Sequence, residues 1–94
     1  MPKLIAIWGK PADAAAFDAD YEETHAKLAA ALPGVTFEGV KVMQGDKHRV
    51  AILSWDSMES FQQGMGSQEI GPLMEDAGRL QETYGVTLET LITE

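Results

Sequence analysis

One short segment combines side chains that could carry chemistry with the spacing of an amphipathic helix. Tyr21 and His25 are four residues apart. At 100° per residue they share a helix face with Phe17, whereas Glu23 and Lys27 fall on the opposite face. A histidine on an apolar face is notable because imidazole titrates near neutral pH and can take up or release a proton. His25 is therefore the first candidate for a functional residue.

Several roles are open to these two side chains. His25 could act as a general acid or base, or donate a hydrogen bond to a ligand carbonyl or carboxylate. It could equally be a core histidine that is satisfied by a backbone or side-chain partner. Tyr21, one turn earlier, could supply a hydroxyl to the same pocket, or pack in the core with its tip in water.

Aromatic residues are spread along the chain in positions that could wall a pocket for a flat, apolar ligand. Two of them are tryptophans at the ends of predicted strands, where an indole can close the mouth of a cavity. The alternative for each is simple core filling. The candidate ligand-binding residues are Trp8, Phe17, Phe37, Trp55 and Phe61.

Charge and composition exclude several classes of function. The net charge is −8, with seven scattered Lys and Arg residues, so the chain lacks the basic footprint that nucleic acids or anionic membranes require. There is no cysteine, hence no disulfide framework and no thiolate metal site. His48 is not spaced with His25 as a metal-binding pair. No metal or other cofactor is expected.

The remaining patterns argue for an ordinary globular domain. The acidic run formed by Asp18, Asp20, Glu22 and Glu23 is typical of a solvated helix face. No nucleotide-binding fingerprint or nucleophile motif occurs. No apolar run approaches the length of a membrane span, and residues 1–8 are too short for a signal peptide. We expect one domain over residues 1–94, in the cytoplasm.

Hydrophobic periodicity and turn residues predict the elements. Asp13 is the predicted N-cap of the first helix, and Asp56-Ser57 caps a short second one. Gly71-Pro72 is a poor interior pair, so the last helix is expected to begin near Pro72. In order, the prediction is strand 3–8, helix 14–32, strands 35–43 and 48–55, a short helix from 58, a helix from 72, and strand 85–93.

This order predicts an α+β fold in which one antiparallel sheet carries the helices on one face. Ile5 and Ile7 make the first strand apolar on the face opposite Leu4 and Ala6. Such a strand needs cover on both faces, and no further element remains in the chain. A homodimer that packs sheet against sheet is therefore expected.

The first third of the chain also carries a family resemblance. Residues 8–34 comprise a strand end, a lysine with Pro11, and a helix with Phe17, Tyr21, His25 and Leu28 that ends at Leu32-Pro33-Gly34. This motif resembles the EthD family of the dimeric α/β barrel group. The resemblance implies a ferredoxin-like βαββαβ chain, a homodimer, and a ligand cavity between the first helix and the sheet.

The resemblance also implies a range of functions. EthD relatives are associated with the catabolism of organic compounds such as ethers. Similar barrels are cofactor-free monooxygenases, cyclases, decarboxylases or isomerases of polyketide-like aromatics. The implied chemistry is proton transfer, with His25 as acid or base and Tyr21 as hydrogen-bond donor. Two alternatives stay open: a non-catalytic carrier of a hydrophobic molecule, and a haem-binding barrel.

Overall fold

Four antiparallel strands form a single sheet in the computed structural model, which describes residues 1–94. The strand order is β2-β3-β1-β4, so the first strand pairs with the third and the last. This order, with helices between β1 and β2 and between β3 and β4, confirms the predicted ferredoxin-like α+β fold. The strands are β1 (Lys3–Gly9), β2 (Thr36–Lys41), β3 (Lys47–Ser54) and β4 (Leu88–Thr93).

The first helix and the short helix after β3 begin at their predicted caps. The Asp13 carboxylate accepts a hydrogen bond from the backbone N–H of Ala16 at 3.1 Å, and the Ser57 hydroxyl accepts one from Ser60 at 3.0 Å. None of the helices is both long enough and apolar enough to cross a membrane. The helical segments are α1 (Ala14–Asp20), a π-helical turn (Tyr21–His25), α2 (Ala26–Ala30), α3 (Met58–Met65) and α4 (Ile70–Tyr84).

The first helix is continuous from α1 to α2, but the π-helical turn changes which residues it buries. The Ala26 N–H bonds to the carbonyl of Tyr21, five residues earlier. This under-winding lets Tyr21, His25 and Ala29 all lie on the buried face, although four residues exceed the 3.6-residue α-helical repeat. A regular 3.6-residue repeat would place Leu28 on the buried face in place of Ala29, but Leu28 is only half-buried.

The last helix begins earlier than predicted. α4 starts at Ile70, so Gly71 and Pro72 lie inside its first turn. The missing N–H of Pro72 costs nothing there, because the first N–H groups of a helix have no intrahelical partner. The helix continues through Gly78 to Tyr84. Gly85 caps its end in a left-handed conformation (φ 61°).

The two faces of the sheet differ in cover. The buried strand residues Trp8, Arg49, Ala51 and Leu53 all lie on the helix-facing side, as their strand pairing shows. On the opposite face no helix covers the apolar side chains. That outer face carries Ile5, Ile7, Val40, Val50, Ile52 and Leu91.

Candidate functional site

His25 does have a partner, and that partner is an acid from the last helix. Nδ1 of His25 lies 2.9 Å from Oδ2 of Asp76, and both residues are buried. The π-helical turn places His25 over the sheet, while α4 brings Asp76 alongside it. The two residues are 51 positions apart in the chain. The pair is therefore a product of the tertiary fold.

Asp76 is in turn held by a chain of charged hydrogen bonds. Arg79 donates from Nε to the second carboxylate oxygen of Asp76 at 2.7 Å. Its other two nitrogens donate to both oxygens of Asp20, at 2.8 and 2.7 Å. The Tyr84 hydroxyl donates to Asp20 at 2.7 Å. The bidentate pair fixes the guanidinium, and the guanidinium fixes the carboxylate of Asp76.

The electrostatics give the protonation state of the pair. Burial lowers the pKa of His25, and the opposing effect of Asp76 does not restore it. Burial raises the pKa of Asp76, but hydrogen bonds from Arg79 and His25 outweigh it and hold that pKa below its usual value. Near neutral pH His25 is thus an uncharged imidazole beside an ionised carboxylate.

A narrow cavity lies between the first helix, α4 and the helix-facing side of the sheet. Its volume is about 60 Å³, and all but two of its lining residues are hydrophobic. His25 and Tyr21 line it from the first helix, and Trp8 and Phe37 line it from the sheet. Met74 also lines it and is 64% exposed, so this side chain marks the opening to solvent. On the outer surface, Asp76 and Arg79 line a separate groove of about 570 Å³ with Glu75.

Two side chains that line the cavity carry hydrogen-bond donors with no partner within the chain. These are the indole N–H of Trp8 and the hydroxyl of Tyr21, and both side chains are almost fully buried. The rings of Trp8, Tyr21 and His25 lie 5.3 to 6.0 Å apart between centroids. An unpaired buried polar group costs about 1–3 kcal/mol. The chain therefore carries two unsatisfied donors beside His25.

The predicted aromatic wall is divided by the fold. Trp8 and Phe37 lie on the cavity, and so do Tyr21 and His25. The other three aromatic residues of the prediction are elsewhere. Phe17 packs behind the cavity wall against Trp8, while Trp55 and Phe61 pack together at 5.2 Å in a second core cluster. The Trp55 indole donates to the Pro33 carbonyl at 2.9 Å.

The expectation of a freely solvated acidic face is wrong for two of its four residues. Asp20 belongs to the Arg79 network, where hydrogen bonds from Arg79 and Tyr84 lower its pKa to about 2. Asp18 accepts from Nε2 of His48 at 2.8 Å and from Arg49 at 3.2 Å. These acids anchor the first helix to α4 and to β3. No group of three or more ligating side chains is close enough to hold a metal ion.

Sequence reasoning missed Asp76 and Arg79. A usable signal was present, because Asp76 lies between Leu73 and Leu80 on the buried stripe of α4. A carboxylate on such a stripe requires a donor, and a buried histidine is one of the few available. Since no spacing rule connects residues 25 and 76, only the tertiary fold makes the pair visible.

Comparison with known proteins supports the family resemblance. No protein-family model matches the sequence, and no curated protein does. An ethyl tert-butyl ether D (EthD) family protein from Bacillus halodurans superposes with a TM-score of 0.88 at 29% identity, over 100% of this chain and 97% of that one. SnoaB, a cofactor-independent oxygenase from Streptomyces nogalater, gives a TM-score of 0.70 at 16% identity, over 99% and 90% of the two chains.

A third structure shares the fold. A dimeric protein of unknown function and ferredoxin-like fold from Bacteroides fragilis gives a TM-score of 0.68 at 13% identity, over 99% of this chain and 94% of that one. At such identities SnoaB and this dimer show a shared fold alone. The resemblance predicted from the first helix is confirmed: over its whole length the chain is similar to an EthD family protein, and it has a ferredoxin-like fold.

Proposed function

We propose that this protein is a cofactor-independent enzyme that binds a small, largely apolar organic molecule in the cavity and removes a proton from it with His25. The observation that carries this proposal is the state of His25. It is uncharged, buried on the cavity wall, and bonded through Nδ1 to Asp76, so that Nε2 is left to react. A general base near neutral pH needs this protonation state.

The unsatisfied donors indicate the chemistry of the ligand. A phenol, enol or carbonyl oxygen could accept hydrogen bonds from Tyr21 and Trp8, and this would offset the cost of burying those donors unpaired. His25 then takes the proton from the O–H bond, or from the C–H bond next to the carbonyl. The electron pair of that bond stays on the substrate as a phenolate or enolate. Phe37 provides an apolar wall.

The size of the cavity sets a condition on binding. Sites for drug-sized ligands typically measure about 300–1,000 Å³, well above the 60 Å³ found here. Entry of a ring therefore requires side chains at the mouth to move. Met74 is suited to this, because its thioether chain is flexible and largely exposed. A haem is several times larger than a single ring and would require far larger movements, so this cavity gives the haem-binding alternative no support.

Two of the similar structures support this proposal. The similarity to an EthD family protein favours a role in the breakdown of organic compounds, and the fold shared with a cofactor-independent oxygenase is compatible with a reaction that needs no prosthetic group. We place this activity in the cytoplasm. Fold alone does not determine a reaction, so the argument rests on the residues of the cavity.

We also propose that the protein is a homodimer. The outer face of the sheet carries apolar side chains from all four strands, and Val40 and Leu91 on its two edge strands are 42% and 46% exposed. Glu38 and Glu89 share this face but also lie on the edge strands, so its centre is apolar. An apolar patch of this kind is rarely left to water. A second copy packed sheet to sheet would cover it. Ile52→Glu, near the centre of this face, is expected to convert a dimer into a monomer in light scattering, whereas an unchanged mass would contradict the proposal.

The experiment that tests the function begins with native mass spectrometry of freshly purified protein, followed by the same sample denatured. A small molecule lost on denaturation identifies the chemical class to assay for turnover. With such a compound, His25→Gln is expected to abolish proton transfer while weakening binding by about tenfold, the equivalent of roughly one hydrogen bond. Unchanged turnover by His25→Gln would refute the role of His25. Tight binding without turnover in the wild-type protein would favour a carrier.

A further inference from the structure

His25 is supported by more than its hydrogen bond to Asp76. The second carboxylate oxygen of Asp76 is bonded to the guanidinium of Arg79, which in turn bonds Asp20. The proposed role of His25 as a base does not by itself explain this support. We propose that Asp76 is a positioning residue that holds His25 in the Nδ1-protonated tautomer, so that a bare Nε2 faces the cavity. This inference rests on the proposed function for its purpose. The geometry that carries it does not depend on a substrate.

The donor and acceptor inventory assigns the tautomer. An ionised carboxylate only accepts hydrogen bonds, so the 2.9 Å contact between His25 Nδ1 and Asp76 Oδ2 requires the proton to be on Nδ1. A neutral imidazole has one proton, and Nε2 therefore carries a lone pair. Nε2 makes no hydrogen bond within the chain. Unlike Trp8 Nε1 and the Tyr21 hydroxyl, it is not fully buried.

Both oxygens of Asp76 are engaged in this arrangement, which opposes rotation of the carboxylate. Its other oxygen is held by Nε of Arg79 at 2.7 Å, and Arg79 is itself fixed by two bonds to Asp20. Each oxygen of the Asp76 carboxylate thus has its own assigned donor. A carboxylate that served only to satisfy a core histidine would not require the second, bidentate anchor.

The network also shows why Asp76 orients His25 without taking its proton. Asp20, Arg79 and Asp76 together carry a net charge of −1 while His25 is neutral. When Nε2 gains a proton, the group becomes neutral overall, and the imidazolium is stabilised beside Asp76. Arg79 keeps the carboxylate ionised, which disfavours movement of the Nδ1 proton onto it.

Asp76→Asn tests this inference because Arg79 would dictate how the amide lies. The guanidinium can only donate, so it would hold the amide oxygen and turn the NH₂ group toward His25. That NH₂ would donate to Nδ1 and move the imidazole proton to Nε2. In the serine protease triad, the corresponding exchange lowers kcat about 10⁴-fold through the wrong tautomer. Glu75→Gln is the matched control, since Glu75 is an exposed neighbour on the same helix.

The readout is the tautomer, measured by long-range ¹H–¹⁵N correlation of the histidine rings at pH 8. The chain has two histidines, and His25→Gln assigns their signals by the loss of one set. The wild type and Glu75→Gln are expected to show the proton of His25 on Nδ1, and Asp76→Asn is expected to show it on Nε2. No substrate is involved, so this result is separate from any failure of the proposed reaction.

Three outcomes would overturn the inference. They are a wild-type proton on Nε2, equal populations of the two tautomers, or an Asp76→Asn variant that folds and keeps the wild-type pattern. If Asp76→Asn does not fold, the wild-type spectrum still decides the assignment of the tautomer. Arg79→Lys then tests the support, because an ammonium lacks the planar fork with which the guanidinium bonds Asp76 and both oxygens of Asp20 at once. A mixture of His25 tautomers is expected in that variant, and a wild-type pattern would contradict the proposed anchoring.

Discussion

The unsatisfied hydroxyl of Tyr21 leads to an unusual expectation: removing it should stabilise the protein. Tyr21 is 1% exposed, its hydroxyl has no partner within the chain, and burial raises its pKa. Leaving such a group buried and unpaired costs about 1–3 kcal/mol, so its removal is favourable. The small void left by the missing oxygen atom is unfavourable and offsets part of that gain. Tyr21→Phe is therefore expected to raise the free energy of unfolding by about 1 kcal/mol.

The assay is thermal and urea unfolding followed by circular dichroism, at one fixed protein concentration because association shifts apparent stability. For a domain of this size, about 1 kcal/mol corresponds to an increase in Tm of roughly 4–8 °C. Tyr84→Phe is the matched control. Its hydroxyl donates to Asp20 at 2.7 Å, so its loss is expected to lower Tm.

The same substitution should weaken binding of an oxygen-bearing ligand, because the donor that the ligand would satisfy is gone. Opposite effects of Tyr21→Phe on stability and on binding are what a binding residue with an unmet hydrogen bond should show. If Tyr21→Phe destabilises the protein as Tyr84→Phe does, the Tyr21 hydroxyl has a partner in solution. The reasoning that makes it a ligand donor would then be refuted.

Two further predictions concern stability. Because burial lowers the folded-state pKa of His25, its contribution to stability is fully present above the unfolded value of about 6.5 and is lost as pH falls below it. The pKa of Asp76 is lower in the folded protein than its unfolded value of about 3.9, so its contribution is lost only as pH falls below about 4. Urea unfolding from about pH 8 to 3 checks both losses, and His25→Gln should remove the first. Gly64→Ala would bring a Cβ within 2.7 Å of the Trp55 indole nitrogen, and urea unfolding should show a destabilisation of about 1–3 kcal/mol. The control is Gly78→Ala, whose Cβ would lie in open space on α4, and which should be neutral or stabilising.

The strands and the starts of the first two predicted helices could be predicted because local chemistry specifies them. The apolar run of β1 and the cap residue Asp13 act within a few residues of themselves, and the structure confirms both. The start of α4 was missed because Gly71-Pro72 is as compatible with a first helical turn as with a loop. The π-helical turn was missed because a 3.6-residue repeat was assumed throughout, which placed Leu28 where Ala29 lies.

The candidate site was only half visible in the sequence. His25 and Tyr21 share a helix face, so their proximity follows from spacing alone. Their partners come from distant strands and from α4, and the sequence contains no rule that pairs His25 with Asp76. The same limit explains Trp55, which was predicted to end a strand but directly follows β3, and whose indole donates to the Pro33 carbonyl and does not line the cavity. Side-chain direction at a strand end depends on the packed neighbours.

The most direct test of the central claim is an NMR titration with phenol and, separately, with toluene as a ligand of similar shape that lacks the oxygen. The two indole N–H signals serve as internal probes, since Trp8 is unpartnered beside the cavity and Trp55 is bonded to the Pro33 carbonyl. We expect phenol to shift the Trp8 indole signal and the His25 ring signals, toluene to do so weakly, and Trp55 to stay unchanged. Equal effects of phenol and toluene, or shifts that avoid Trp8 and His25, would contradict an oxygen-binding site at this cavity.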